Sequence, residues 1–385
     1  MATRREFLGF GLASGLSGCV NLKDLQPNCP INWAPSLTAP VLHGFTDYAA
    51  CSGADCLSAA LEKSAPGVKP PGVFDQVRPA MRVYYPTLAS SPANAPILDL
   101  CERFPLILLV HGQCTGDTYL QWDLMPPQLA RCGYVVAVTR YGGTLSQGDA
   151  ASTTPLHQAE RWLRTYWRHA DRLMAPPNTA LIGHSWGSTL TAQLATEMPI
   201  KAYASLSGTF GQITWEPATT MVSRIQAPAL YCWNDFDDVG INADMSHDQL
   251  WQSAGLPKHG VVFMKAQHGD YLHPGTAPMC GQSDGAKACL HVPGLATDFV
   301  TTFMAKYVPP EFDFGAFTWV PDKLFIRPQD LPAPPAQDTF ASGLLPSFAQ
   351  AQQYPGSQPP PSNTCVQHVF WQTPSITGFM YVASA

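Results

Sequence analysis

The sequence predicts an α/β protein built on a doubly wound, mostly parallel sheet with helices on both faces. Three observations predict it. Between about residues 81 and 308, short apolar runs alternate with helix-compatible stretches, the pattern of strand–helix–strand crossovers. The runs Pro105–Val110 and Tyr134–Thr139 are continuously apolar, as in parallel strands covered on both faces. Finally, Gly183-His184-Ser185-Trp186-Gly187 stands between an apolar run, Thr179–Ile182, and a helix-compatible run, Ser188–Met198.

The elements follow in order. Arg82–Pro86 alternates like a strand that ends at a proline. After the Pro105–Val110 strand, Leu120–Arg131 suits a helix, and the Tyr134–Thr139 strand follows. Leu156–Leu173 reads as an amphipathic helix, with Trp162, Tyr166, His169 and Leu173 on its packing face. Beyond the pentapeptide come strands at Lys201–Leu206 and Ala229–Trp233, a helix at Asp248–Ala254, a strand at Val261–Met264 and a closing helix at Leu295–Tyr307. Residues 20–80, rich in Pro, Gly, Ala and Ser, read as an irregular extension to this 81–308 domain. Residues 309–385 hold 13 of the 37 prolines, yet carry many aromatics, Trp319, Phe370 and Trp371 among them. That composition predicts a Pro-rich extension packed on the core, adding an edge strand near Gln367–Trp371 or Thr377–Val382.

Composition narrows the function classes. The 385 residues are 45% hydrophobic and 13% charged, with a net charge of −6. That is enough apolar material for a large core and too little charge for charge-driven disorder. The basic footprint of a nucleic-acid partner is missing, and no apolar run reaches bilayer-spanning length.

Residues 1–19 read as a targeting segment and are set apart from the fold. Arg4-Arg5 with Phe7-Leu8 resembles a twin-arginine export signal. Leu16-Ser17-Gly18-Cys19 resembles a lipobox, in which Cys19 is lipidated. The expected location is therefore periplasmic or at the cell surface, with the membrane reached through the Cys19 anchor. Of eleven cysteines, ten remain beyond Cys19. An exported chain meets oxidising conditions, so local bridges Cys51–Cys56 and Cys280–Cys289 are expected. No Cys-x-x-Cys spacing suggests a metal site, and Cys232, inside an apolar strand, suits a small core residue.

The pentapeptide carries the chemistry. A strand, Gly-x-Ser-x-Gly and a helix form the arrangement of a nucleophile elbow, in which the glycines remove clashes with the neighbouring backbone. A serine hydroxyl needs a general base, and the base needs an orienting partner. On a doubly wound sheet both must come from loops at the strands' C-terminal ends. The Lys201–Leu206 strand continues as Ser207–Gly211 without a carboxylate. The next strand runs into Asn234-Asp235-Phe236-Asp237-Asp238. Asp237 is the first choice for the acid, with Asp238 and Asp235 as alternatives. The cluster lacks the glycine and glutamate of a calcium loop. For the base, His268 follows the Val261–Met264 strand by four residues and precedes Gly269, and His273 is the reserve. His259 lies at the wrong end of that strand and His247 at a helix start. Oxyanion donors are expected from the backbone N–H groups of Trp186 and Gln113, with His111 bracing the latter's loop.

The stretch from Arg82 to Tyr307 resembles the α/β-hydrolase superfamily. The residues that carry the resemblance are Val110-His111-Gly112, the Ser185 pentapeptide, Asn234–Asp237 and Gln267-His268-Gly269. Arg82–Pro86 before the oxyanion strand is similar to cutinase-like polyester hydrolases, lipases and platelet-activating-factor acetylhydrolase-like esterases. The resemblance implies carboxyl-ester hydrolysis through an acyl-enzyme, with no cofactor. The short Gly211–Ile225 segment leaves little room for a lid, so Trp122, Tyr141 and Trp186 are candidate walls of an open cleft for acyl or aromatic esters. Peptide, thioester or lactone cleavage on the same triad, and an exported non-catalytic binder, are the rival expectations.

Overall fold

The computed structural model describes residues 41–52, 77–99, 103–112, 120, 122, 124–140, 152–210, 216–234, 247–263, 266–272, 292–311, 365–372 and 377–384. The strands are β1 (Leu42–Tyr48), β2 (Cys51–Ser52), β3 (Val77–Arg78), β4 (Met81–Thr87), β5 (Leu106–Val110), β6 (Val135–Thr139), β7 (Thr179–His184), β8 (Ala202–Leu206), β9 (Ala229–Asn234), β10 (Lys258–Phe263), β11 (Cys365–Gln372) and β12 (Thr377–Ser384). The helices are α1 (Met125–Arg131), α2 (Thr154–Thr165), α3 (Trp186–Glu197), α4 (Ala218–Ser223), α5 (His247–Ser253) and α6 (Val292–Tyr307).

Ten strands form one sheet in the order β1-β4-β6-β5-β7-β8-β9-β10-β11-β12, and β2 pairs with β3 separately. Strands β5 to β10 run parallel to one another. β4 is antiparallel to β6, and β1 to β4. On the other side β11 adds antiparallel to β10, and β12 to β11. The chain moves from β5 outward to β6, then crosses back over β5 to β7 and continues the opposite way. The strand order therefore reverses between β5 and β7, and in open α/β sheets the crevice at such a reversal, beyond the strands' C-terminal ends, is where ligands bind.

Continuously apolar strands are explained by two cores, one on each face. In β5, Leu106, Leu108 and Val110 join one cluster, while Ile107 and Leu109 join the other. Residues of α2 to α5 cover the first face, with Trp162, Leu190, Met221 and Trp251 among them. α1 and α6 cover the second, through Leu129, Phe299 and Phe303, and pack on each other.

Several boundaries differ from the sequence expectation. The stretch read as irregular contains β1. Its Arg82–Asp47 ion pair, at 2.6 Å, ties it to β4, and its Gly44 backbone lies against the Tyr85 ring, where a methyl group would come within 2.7 Å. α1 starts at Met125, with proline in its first turn, where a missing N–H costs nothing. The expected Leu156–Leu173 helix ends at Thr165. The N–H groups of Tyr166 and Trp167 both donate to the Trp162 carbonyl and close it, and a 3-10 turn at Ala170–Arg172 follows. β10 begins at Lys258, so His259 lies inside that strand. Both candidate edge segments of the C-terminal extension are strands. Cys132 and Cys232 are buried in the second core, and Cys232 is a free thiol. Cys19, Cys56, Cys280 and Cys289 lie outside the described residues.

Candidate active site

Ser185 is the single residue between β7 and α3, and its backbone is held at φ 55°, ψ −127°. A non-glycine residue with positive φ is uncommon and strained. Ser207, directly after the neighbouring β8, also has positive φ, 44°, so strain concentrates at two adjacent strand ends. The Ser185 N–H donates to the Leu206 carbonyl at 2.9 Å, and its own carbonyl accepts from Ser188 N–H at 2.9 Å. The Ser188 hydroxyl donates to the Gly183 carbonyl at 2.6 Å.

The flanking glycines are required by contact. A methyl group on Gly183 would strike Thr191 Oγ1 and the Ser188 backbone, and one on Gly187 would strike the carbonyl oxygens of Val110 and His111. The elbow is thus pressed onto the end of β5. Gly112, two residues past β5, faces the serine itself: a methyl group there would lie 2.7 Å from Ser185 Cβ and 3.3 Å from Oγ. The loop expected to supply an oxyanion donor therefore begins against Ser185. Trp186 is the first residue of α3, so its N–H belongs to the helix turn whose amides point out of the helix and carry the positive end of its dipole. His111 is buried, and its Nδ1–H donates to the Gly112 carbonyl at 2.6 Å. Burial pushes its pKa down to about 4, with the Arg140 charge adding to the effect and the Gly112 bond opposing it. A neutral ring donating to the loop backbone suits bracing rather than proton transfer.

His268 is buried in the turn after β10. Besides its own backbone bonds, hydrogen bonds from side chains fix that turn. The Asn234 amide, at the end of β9, donates to the Gln267 carbonyl. Gln267 N–H donates to the Asp270 carboxylate at 2.8 Å. His184 Nε2–H donates to the His268 carbonyl at 2.9 Å. Ser207 Oγ lies 3.3 Å from the Tyr271 hydroxyl. The ends of β7, β8 and β9 thus all reach the turn that carries His268.

The structure brings Ser185, Gly112, His184 and His268 together at the strand-order reversal. Asp237, its alternatives Asp238 and Asp235, the reserve base His273, Gln113 and Tyr141 lie outside the described residues. His259 packs away from this end, with Nε2 2.7 Å from the Tyr307 hydroxyl. Trp122 and Trp186 are 2% and 6% exposed and sit in the cores on opposite faces of the sheet, so their described surroundings are packing partners. Sequence reasoning missed His184, Asp270 and Tyr271 as supports of the turn that carries His268. His184 was in view inside the pentapeptide, but nothing local signals a bond to a residue 84 positions away.

Among the described residues no cluster of His, Cys, Asp and Glu could hold a metal ion, and no helix is long and apolar enough to cross a membrane. No protein-family model matches the chain, and no curated protein sequence matches it.

Proposed function

We propose that the protein is a serine hydrolase of the α/β-hydrolase type, acting on carboxylic esters through Ser185, His268 and Asp237. The observation that carries this reading is the strained Ser185 at a strand–helix junction, with the Gly112 backbone against its hydroxyl, at the point where strand order reverses. Strain of this kind at a ligand crevice is a mark of a functional residue. The pinned His268 turn one strand-end cluster away supports the choice of base.

In this mechanism His268 takes the Ser185 proton as Oγ attacks the ester carbonyl. The negative charge on the carbonyl oxygen is met by the Trp186 and Gln113 N–H groups. His268 then gives the proton to the leaving alcohol, and an acyl group remains on Ser185. Water repeats the sequence, with His268 as base, and frees the acid. Asp237 holds the imidazole in the tautomer that can accept the serine proton and stabilises its cation. Ester, rather than amide, follows from the sequence resemblance and is the part most directly tested by substrate choice.

A fluorophosphonate probe tests the nucleophile. The wild type should be labelled on Ser185, and Ser185→Ala should lose both labelling and at least a thousandfold of its activity on p-nitrophenyl esters. No labelling of the wild type would make this a non-catalytic binder, and equal labelling of the two proteins would remove Ser185 as the nucleophile. Faster turnover of aminoacyl amides than of esters would move the reading to a peptidase.

A further inference from the structure

We propose that His184 is a positioning residue, whose Nε2–H bond to the His268 carbonyl sets the base turn against the nucleophile elbow. This rests on the reading of Ser185 as nucleophile and His268 as base. His184 is covalently next to Ser185, and it donates to the backbone of the base residue itself at 2.9 Å. One side chain therefore joins the two reacting segments. At 1% exposure its ring is closed off from a substrate in the crevice, so it is not a wall of the binding site.

The packing around it is consistent with a fixed strut. The ring centroid lies 5.2 Å from that of His268, 5.6 Å from Tyr271 and 5.8 Å from Trp122, the latter two edge-on. Those rings leave the imidazole little rotational freedom, and its Nδ1 edge faces Gly112, where a methyl group would lie 3.0 Å away. The same ring thus touches the start of the oxyanion loop and the base turn. Asn234 and the Ser207–Tyr271 pair hold the turn to β9 and β8, and the His184 bond runs to β7, which carries the nucleophile. Since the bond uses Nε2 as donor and a carbonyl as acceptor, it is made only by an imidazole with hydrogen on Nε2.

The test compares His184→Phe, which keeps a flat ring and loses the donor, with His184→Gln, which keeps an N–H at similar reach. Turnover is measured per active site, titrated with the fluorophosphonate. His184→Phe should lower kcat about ten- to a hundredfold, the range expected when reacting groups are displaced by an ångström or less, with KM changed by no more than about threefold. His184→Gln should recover most of that loss. A merely structural role would lower the number of active sites and the melting temperature, and leave turnover per site intact. Turnover of the Phe variant within about twofold of wild type, or a Gln variant no better than Phe, overturns the proposal. Should neither variant fold, nitrogen-15 NMR of the wild type decides it. A slowly exchanging proton on His184 Nε2 supports the strut, and hydrogen on Nδ1 alone refutes it. Activity and labelling that survive Ser185→Ala would instead sink the hydrolase reading beneath it, so the two failures are told apart.

Discussion

At Ser185 a backbone conformation suited to glycine is imposed on a residue with a side chain. With φ 55° and ψ −127°, glycine would sit there unstrained and alanine would not. Ser185→Gly and Ser185→Ala should both be inactive, but the glycine variant should be the more stable by about 1 kcal/mol, read as a higher melting temperature. Equal melting temperatures would mean the strain is absent. Gly112→Ala makes the complementary test from the other side of the hydroxyl. Its methyl would come within 2.7 Å of Ser185 Cβ, so serine or loop must shift, and kcat should fall on the order of a hundredfold with the fold retained. The strained turn at Ser185 was legible in the sequence because a strand–turn–helix junction flanked by glycines is a local device. Gly112 was legible only as part of a motif, since its contact with Ser185 is created by strand pairing between β5 and β7. The acid remains a proposal among three aspartates. Of Asp237→Asn, Asp238→Asn and Asp235→Asn, the first should cost about ten-thousandfold in kcat and the other two little.

Among the elements, β10 and α6 show how burial becomes pH dependence. His259, inside β10, is packed against Phe303 and Tyr307 of α6. Burial, reinforced by the Lys306 charge, pushes its pKa down to about 3. His111, after β5, is likewise pushed down to about 4. Unfolded, both would titrate near 6.5, so below that pH the unfolded chain binds protons that the folded one refuses. Stability is full above pH 6.5 and is lost as pH falls toward 4, at roughly 1.4 kcal/mol per pH unit for each histidine. Urea denaturation at a series of pH values should show their contribution, and His259→Phe should remove its own share, roughly 1.4 kcal/mol per pH unit. Strand cores were readable from apolar runs, because both faces of the parallel strands are covered. Element ends were less so. α2 stops eight residues before its helical pattern does, because the Trp162 carbonyl takes two N–H groups at once and the Arg164 guanidinium reaches forward to the Met174 carbonyl. Neither event has a pattern of its own. β1 was missed for a related reason: much of what stabilises it, an ion pair to Arg82 and a glycine against Tyr85, belongs to its partner strand.

For the molecule as a whole, the sheet's two flanks come from chain far outside the central alternation. Fold class was readable from the alternation of elements, but the order of strands was not, since periodicity says which faces are buried and nothing about neighbours. On one flank β11 pairs with β10, from Lys258↔Gln372 to Phe263↔Gln367, and β12 pairs with β11. Deleting residues 365–384 would bare the backbone of an interior strand, and exposed edges of this kind pair with other chains. The shortened protein should self-associate, seen as concentration-dependent light scattering, whereas a monodisperse monomer would show that β10 does not need its cover. The same flank has a practical corollary. Because β11 reaches β10 by backbone pairing across about a hundred residues of intervening sequence and carries β12 with it, a peptide containing both should find its place when supplied separately. Added to the protein lacking residues 365–384, that peptide should restore the cover on β10 and reverse the self-association in proportion to its concentration.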